Sequence, residues 1–304
     1  MTKNKLTPFL KWAGGKSQLL PVLSENFPVE LGKDIDKYVE PFVGGGAVLF
    51  NILSTYDIKD VYINDINEEL INVYNVIKYD VESLIEILTN IQKNYLILDA
   101  ENRKEYYYSK RDLFNKHKQE KILNTDTAAL FIFLNKTCFN GLYRVNSSGL
   151  FNVPAGDYKK PTICDSDNLR AISKKLSKVQ ISCGSYKKLH KVIDNNTFVY
   201  FDPPYRPLNK TSSFNTYTQS AFNDESQIEL AEFIKQISQR GAYVLASNSD
   251  PKNTNPEDNF FDELYTGMNI ERISAKRMIN STGNLRNKKI SELLIKNYQT
   301  KVEI

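Results

Sequence analysis

The amino-acid sequence predicts an α/β protein built around a mainly parallel sheet. Three observations support this prediction. Short apolar segments recur along the chain, helical patterns such as residues 227–240 separate them, and a glycine or an acidic residue follows several of them directly. Strands that alternate with helices form parallel sheets, whose ligands bind at the carboxyl ends of the strands. We therefore expect the functional residues to lie where the strands end.

Seven segments have the apolar, β-branched and aromatic composition of buried strands. They are residues 38–43, 61–64, 179–183, 198–201, 242–246, 270–274 and 290–297. The alternation breaks between about residues 68 and 164, where helical patterns at 68–79, 81–93 and 127–135 precede a predicted hairpin near 145–153. A segment of this length is too long for a compact loop, so we interpret it as a second, inserted domain.

The net charge of +4 and the isoelectric point of 8.7 are basic, but too weakly to indicate nucleic-acid binding alone. Basic residues gather in 144–160, 174–191 and 276–289. The first and last groups lie beside glycine and serine, which predicts loops that reach for an anionic partner. The middle group is expected to be solvated surface.

Neither a membrane protein nor a disulfide-rich protein is predicted. The longest apolar run, residues 128–134, is far shorter than the ~20 residues of a membrane span, and the first eleven residues lack the apolar core of a signal peptide. Cys138, Cys164 and Cys183 lie far apart, without the spacing of a disulfide framework or a zinc site. We expect a cytoplasmic protein with no metal.

A glycine cluster follows the first strand, in the stretch YVEPFVGGGAVLF. Gly44, Gly45 and Gly46 would let the backbone approach a nucleotide-like ligand, and the following helix would add a favourable dipole. Three glycines between a strand and a helix are as often a simple connection with no role in ligand binding. About twenty residues later, however, Asp65 ends the next strand as a carboxylate able to accept hydrogen bonds from ribose hydroxyls. Together the two features favour an adenosine-containing cofactor.

A second glycine cluster occurs in FLKWAGGKSQLL, close to the beginning of the chain. It is not a phosphate-binding P-loop, because Leu10 stands where that motif needs glycine and no strand precedes it. Lys11, Trp12 and Lys16 would suit a lid over a ligand, with the indole offering an aromatic face. An ordinary helix start remains the alternative for this segment.

The stretch FVYFDPPYRP carries the strongest chemical signal. Asp202 comes directly after a buried strand, and the two prolines that follow cannot continue a sheet ladder. The Asp202 carboxylate and the Pro203 carbonyl could both accept hydrogen bonds from one planar NH₂ group, while Tyr205 offers a ring for stacking. Two acceptors draw the nitrogen lone pair out of conjugation, which makes the amine nucleophilic. The pattern therefore indicates chemistry on an amino group of an extruded base.

Taken together, the chain resembles the Dam-like DNA N6-adenine methyltransferases of the D12 class, GATC-type, with motifs in the alpha order. The ordered motifs that carry the resemblance are FLKWAGGK, EPFVGGGAV, NDIN, NKTCFNGLYRVNSSGLFNVPAGDYKKP, YFDPPYRPL and SNSD. The resemblance implies a Rossmann-like catalytic domain, residues 1–67 and 165–304, and an inserted helical DNA-recognition domain with a β-hairpin, residues 68–164. It also implies methyl transfer from S-adenosyl-L-methionine to N6 of adenine in double-stranded DNA, within GATC, by base flipping and direct attack.

The resemblance further assigns roles to individual residues. The catalytic residues are Asp202, Pro203, Pro204 and Tyr205. The cofactor-binding residues are Trp12, Ala13, Gly14, Lys16, Pro41, Phe42, Gly44, Gly45, Gly46, Asp65, Ile66, Ser185, Tyr186 and Asp202. The DNA-binding residues are Lys11, Asn140, Leu142, Arg144, Asn146, Asn152, Pro154 and Tyr158. Arg144 is the chemically plausible base reader, since a guanidinium can bind guanine in a bidentate manner.

Two alternatives stay open at this stage. An RNA or protein-amide methyltransferase would share the strand-end group, the diproline and the aromatic, but usually carries Asn in place of Asp202 and lacks the hairpin motif. A non-catalytic DNA-binding relative would not be expected to retain both Asp202 and Asp65. If the chain is a DNA methyltransferase, a functional pairing with a restriction endonuclease is also open. The loop 206–222 is expected to order over DNA or to be a plain connector.

Overall fold

The computed structural model describes residues 6–207, 222–276 and 289–300. Within them one sheet contains all seven predicted strands: β1 (Lys37–Glu40), β2 (Asp60–Asp65), β3 (Val179–Cys183), β4 (Thr197–Phe201), β5 (Tyr243–Ser249), β6 (Asn269–Lys276) and β7 (Lys289–Lys296). The predicted mixed α/β architecture is therefore confirmed. The expected loop 206–222 and the basic group 276–289 lie mostly outside the described residues.

The strands are arranged in the order β3-β2-β1-β4-β5-β7-β6. Strand β1 pairs in parallel with both β2 and β4, so that Tyr38 lies opposite Val61 on one side and Phe198 on the other. Strand β7 runs antiparallel to β5 and β6. The chain leaves β1 towards β2 and later returns to β4 on its other side. The carboxyl ends of β1 and β4 thus form a topological switch point, where open α/β sheets bind ligands.

Strand β1 is shorter than the predicted 38–43, because it ends at Glu40. Pro41 has no N–H to donate to a neighbouring strand, so the ladder cannot continue through it. Hydrogen bonding to β2 resumes at Val43, whose N–H donates to the Asn64 carbonyl over 3.0 Å. The turn that follows β1 therefore begins three residues earlier than expected.

Helices cover both faces of the sheet. In the described residues they are α1 (Leu20–Glu25), α2 (Ala47–Thr55), α3 (Glu68–Tyr79), α4 (Val81–Leu96), α5 (Ala100–Gln119), α6 (Thr125–Thr137), α7 (Ser166–Leu176), α8 (Asp224–Gln239) and α9 (Phe260–Leu264). Tyr38 and Phe198 pack into the cluster that α1 to α7 cover, while Val39 and Val199 pack into the cluster under α8 and α9. This alternation follows from the period of two in strands. No described helix has the length and apolar character needed to cross a membrane.

The segment between β2 and β3 is helical, as predicted. Helix α3 has the predicted bounds, whereas α4 and α6 extend a few residues beyond them. Helix α5 was not predicted, because its sequence is dominated by charged residues and buries only Tyr107 and Phe114 deeply, seven positions apart. Near the predicted hairpin, the chain forms an antiparallel turn with isolated bridges, Val145 to Phe151 and Cys138 to Ala155, instead of two regular strands.

The turn between β1 and α2 depends on Gly46. This residue has φ +74°, and a Cβ added there would lie 2.5 Å from the Tyr74 hydroxyl oxygen. The Tyr74 side chain is fully buried and donates to the Gly44 carbonyl over 3.0 Å, so it cannot move away cheaply. The turn and helix α3 are thereby packed against each other.

We expect Gly46→Ala to lower the free energy of unfolding by roughly 2–4 kcal/mol, because it combines a strained φ with a clash. Gly267→Ala is the matched control: Gly267 has φ +90° but nothing within 4 Å of the added Cβ. It should cost about 1 kcal/mol, from the backbone alone. Urea unfolding of both variants measures the difference, and equal losses would show that Tyr74 shifts without cost.

Candidate active site

The carboxyl ends of β1, β2 and β4 each lead directly into a predicted functional group. The glycine turn 44–46 follows β1, Asp65 is the last residue of β2, and Asp202 follows the last residue of β4. Every residue of β4 is buried, and the two prolines after Asp202 turn the chain out of the sheet. The order of the strands therefore brings together groups from three distant parts of the sequence.

An ion pair joins Asp202 to the N-terminal segment. The Lys16 Nζ atom lies 2.7 Å from Asp202 Oδ1 and 2.9 Å from Oδ2, and it also donates to the Gly14 carbonyl over 2.7 Å. Lys16 is only 4% exposed, and lysine is rarely buried unless it is paired. This contact holds the FLKWAGGK segment at the carboxyl ends of the strands.

The ion pair also sets the charge of Asp202. Burial raises the pKa of this carboxyl group, and the Lys16 ammonium opposes that rise through its charge and its hydrogen bond. The carboxylate of Glu292, on β7, adds to the rise. Lys16 is therefore the group that favours a charged, hydrogen-bond-accepting Asp202 inside a buried site.

The residues after Asp202 are held on both sides. Gln227, on α8, donates from Nε2 to the Pro204 carbonyl over 3.0 Å. The Arg206 guanidinium donates to both carboxylate oxygens of Asp224, over 2.8 and 3.0 Å, and to Asp258 over 2.7 Å. These bonds fix the backbone of the DPPY loop, which a precise acceptor arrangement requires.

Asp65 supports the glycine turn through its carboxylate. Its Oδ2 accepts a hydrogen bond from the Gly44 N–H over 3.1 Å, and its Oδ1 accepts one from the Asn67 N–H over 3.0 Å. Burial raises the pKa of Asp65, and these backbone donors oppose the rise. Each carboxylate oxygen has a second lone pair, so the group can still accept hydrogen bonds from a ligand. The adjacent Ile66 side chain is 55% exposed.

Trp12 packs against the glycine turn. A Cβ added at Gly44 would lie 2.9 Å from the Trp12 ring, and one at Gly45 would lie 3.0 Å from the Trp12 Cβ. The indole also stacks on Tyr143, with ring centroids 5.8 Å apart and planes 22° apart. The absence of a Cβ atom at Gly44 and Gly45 thus leaves room for the Trp12 side chain, whereas the prediction concerned the approach of a nucleotide-like ligand. The indole connects the turn to the helical segment.

The D12 class N6-adenine-specific DNA methyltransferase family matches this chain over residues 12–279. The chain belongs to this family. It is 52% identical to the type II methyltransferase M.MjaIII of Methanocaldococcus jannaschii, over 97% of this chain and 100% of that protein. It is 39% identical to the type II methyltransferase M1.LlaDCHI of Lactococcus lactis, over 98% of each chain, and 35% identical to the DNA adenine methylase of Escherichia coli, over 97% of this chain and 95% of that one. The chain is thus an adenine-specific DNA methyltransferase, an enzyme with double-stranded DNA as its substrate.

One face of this methyltransferase gathers several predicted DNA-binding residues. The Lys11 Nζ atom lies 4.0 Å from the centre of the Tyr158 ring. The Asn135 side chain accepts from the Lys11 N–H over 2.8 Å and donates to the carbonyls of Lys11 and Gly141, over 2.7 and 3.0 Å. A buried asparagine therefore ties the N-terminal segment to the loop that carries Asn140, Leu142 and Arg144.

The predicted base reader Arg144 is exposed. Its Nε donates to Asn152 Oδ1 over 2.8 Å, which braces the guanidinium across the turn. The Asn146 Oδ1 atom accepts from the N–H groups of Ser148 and Leu150, over 3.0 and 2.9 Å, so this oxygen shapes the loop. Asn146 and Asn152 are thus engaged in holding the turn that presents Arg144.

The remaining predicted DNA-binding residues lie around this turn. Asn140 is exposed, with a positive φ of +56°, and it follows Phe139, whose side chain is 51% exposed. Leu142 is half-buried. Pro154 is exposed, and its carbonyl accepts from the Phe139 N–H over 2.9 Å. Phe139 was not predicted, although an exposed aromatic next to basic residues is typical of surfaces on which bases stack.

The predicted cofactor-binding residues divide into two groups. Trp12, Lys16, Gly44, Asp65 and Asp202 lie at the strand ends, with Ala13, Gly14, Pro41, Gly45, Gly46 and Ile66 next to them in the chain. The rings of Phe42 and Tyr186 instead pack on each other, with centroids 5.5 Å apart, in the cluster on the α8 face. Ser185 caps the following turn by accepting from the Lys187 N–H.

Sequence reasoning missed three acid or basic groups of the site. Glu40 ends β1, is 2% exposed and accepts a hydrogen bond from the Tyr38 hydroxyl over 2.7 Å, and burial raises its pKa well above the usual range. An acidic residue at the end of an apolar strand is the signal that identified Asp65 and Asp202. It was missed for Glu40 because the first strand was predicted to continue to residue 43. Arg206 and Glu292 carry no comparable local signal, because their partners are distant in sequence.

We expect Lys16→Met to destabilise the protein in a pH-dependent way. Without the ammonium, the folded-state pKa of Asp202 rises further above its unfolded value of ~3.9, so the penalty is present above the folded pKa and fades as pH falls towards the unfolded one. The loss in unfolding free energy should be roughly 1–3 kcal/mol at pH 8 and smaller at pH 5. Lys16→Met/Asp202→Asn is the control, and it should recover most of the loss. An equal loss at both pH values would contradict the assignment.

Proposed function

We propose that this enzyme transfers a methyl group from S-adenosyl-L-methionine to N6 of an adenine in double-stranded DNA, within GATC, after flipping the base out of the duplex. The observation that carries the proposal is the position of Asp202. It lies at the switch point of the sheet, beside the glycine turn that follows β1, and β1 separates its strand from the one that ends in Asp65. The site thus has a hydrogen-bond acceptor for an amino group next to a turn that could bind a nucleotide-like ligand.

The residues around Asp65 fit an adenosine-containing methyl donor. The Asp65 carboxylate has lone pairs available for ribose hydroxyls, and the exposed apolar Ile66 beside it offers a surface for a purine ring. Trp12, Gly44, Asp65, Ile66 and Asp202 would hold the cofactor. When bound, the cofactor supplies an electrophilic methyl group on a sulfonium, and the nearby carboxylates favour that positive charge.

The DPPY loop would position the adenine amino group. Asp202 and the Pro203 carbonyl would each accept a hydrogen bond from one N–H of the amino group. The nitrogen lone pair would then leave conjugation with the ring and point at the methyl group. The N6–carbon bond would form as the carbon–sulfur bond of the donor breaks, and one of the two N6 protons would be lost to the Asp202 carboxylate or to water. No covalent bond to the enzyme is needed. The protein supplies orientation and a charged acceptor, and Lys16 keeps that acceptor charged before the base arrives.

Base flipping is favoured by the inaccessibility of this acceptor. Asp202 is partly buried at the carboxyl end of β4, and a base that stays stacked in a duplex could not reach it there. Tyr205 would stack on the extruded adenine. In this structure the Lys16 Nζ atom lies 4.8 Å from the centre of the Tyr205 ring and forms an ion pair with the Asp202 carboxylate. The incoming amino group must therefore share Asp202 with Lys16 or displace it.

We further propose that residues 68–164 form the target-recognition domain and residues 1–67 and 165–304 the catalytic domain. The exposed Arg144 and Phe139 and the Lys11–Tyr158 pair lie on this segment or are tied to it. These residues offer a charge, a planar fork and aromatic rings to a duplex, the means by which proteins bind phosphates and read guanine. GATC is the site that the resemblance of the sequence motifs to the Dam-like class implies.

Asp202→Ala tests the chemistry. It should abolish transfer of a labelled methyl group to an adenine-containing duplex, because the target amine loses its charged acceptor, while the variant still binds DNA. Asp36→Ala removes a carboxylate that pairs with the exposed Lys59, and it should keep wild-type activity. Single-turnover transfer by Asp202→Ala at a near wild-type rate would disprove the role of Asp202.

Arg144→Ala tests specificity. Loss of a bidentate base contact should cost ~1–3 kcal/mol of discrimination, so the variant should methylate single-base variants of GATC relatively better. Lys160→Ala is the control, since it removes an exposed charge from the same segment and should weaken all duplexes alike. The measurement is kcat/KM for GATC and each single-base variant at fixed salt. A wild-type preference for another site would contradict GATC, and a uniform loss in Arg144→Ala would make Arg144 a phosphate contact.

A further inference from the structure

Glu292 is a half-buried acidic residue that comes directly before the buried part of β7. It lies opposite Ser249 of β5 and Ile273 of β6, and the three residues that follow it, Leu293 to Ile295, are all buried. Its Oε2 atom accepts a hydrogen bond from the Tyr205 hydroxyl over 2.8 Å. Within the described parts of the chain, no lysine or arginine forms an ion pair with Glu292. Its carboxylate is therefore directed at the DPPY loop.

We propose that Glu292 is a positioning residue, which fixes the Tyr205 ring in the orientation that receives the target base. The inference rests on the proposed function, because it assigns Tyr205 to stacking on the extruded adenine. The rigid Pro203–Pro204 backbone holds one end of the Tyr205 side chain, and the Glu292 carboxylate holds the other end. A ring fixed at both ends loses no further rotational freedom when a base stacks on it.

The surrounding charges keep this hydrogen bond intact. Burial and the negative charges of Asp202 and Glu292 raise the pKa of the Tyr205 hydroxyl well above its usual range, so that it stays protonated and donates. A hydrogen bond to an ionised acceptor is about twice as strong as a neutral one. On the ring face, the Lys16 ammonium lies 4.8 Å from the ring centre and holds Asp202. Glu292, Tyr205, Lys16 and Asp202 thus form one connected array.

Four variants separate positioning from a merely structural role: Glu292→Gln, Glu292→Ala, Tyr205→Phe and the double variant Glu292→Ala/Tyr205→Phe. Glutamine keeps an oxygen that can accept from Tyr205, whereas alanine does not. The readouts are the single-turnover rate of labelled-methyl transfer at saturating cofactor and duplex, the Kd for the duplex, and the free energy of unfolding.

We expect Glu292→Ala and Tyr205→Phe each to lower the single-turnover rate about tenfold, with the duplex Kd changed less than twofold. The double variant should be no slower than either single variant, because both remove the same hydrogen bond. Glu292→Gln should retain most of the wild-type rate. If Glu292→Ala does not fold, the rates of Tyr205→Phe and Glu292→Gln still decide the matter.

Three results would overturn the proposal: a wild-type rate in Tyr205→Phe, a rate in Glu292→Gln far below that of Tyr205→Phe, or losses that multiply in the double variant. The wild-type enzyme tests the proposed function separately. Failure of the wild type to methylate adenine would overturn that function, whereas the ratios among variants report on Glu292 with whichever duplex the wild type methylates.

Discussion

The ion pair between Lys16 and Asp202 is the interaction on which the rest of the site depends. It crosses 186 residues of sequence and joins the N-terminal segment to the end of β4. Trp12, four residues before Lys16, packs on the glycine turn and stacks on Tyr143, so the same segment reaches the helical part of the chain. One buried lysine thus links Asp202 to the segment that packs on the glycine turn and on the helical part of the chain.

The order of the strands explains why a single lysine can have this effect. Because β1 lies between β2 and β4 and all three run in the same direction, their carboxyl ends present the glycine turn, Asp65 and Asp202 at one edge. Burial raises the pKa values of Asp65 and Asp202, and the charge of Glu292 adds to the rise for Asp202. A buried cation offsets it. The arrangement suits the proposed reaction, in which a positively charged sulfonium approaches the Asp202 carboxylate.

The sequence was sufficient to predict all seven strands, three of the helices between β2 and β3, and the strand-end positions of Asp65 and Asp202, since these depend on local composition and turn residues. It did not predict α5, whose apolar residues are too sparse for a helical period to emerge. It placed Lys16 near the cofactor, but the partner of Lys16 depends on tertiary contacts. For the same reason Glu292 and Arg206 were not recognised, because strand pairing and helix packing bring their partners close.

The most direct test of this account is a crystal structure of the enzyme with an adenine-containing duplex and a non-reactive analogue of S-adenosylmethionine. We predict an extruded adenine stacked on Tyr205, with its N6 atom at a hydrogen-bond distance of ~2.7–3.2 Å from Asp202 and from the Pro203 carbonyl. An adenine bound elsewhere, with the Lys16–Asp202 pair unchanged and no base on Tyr205, would contradict the account.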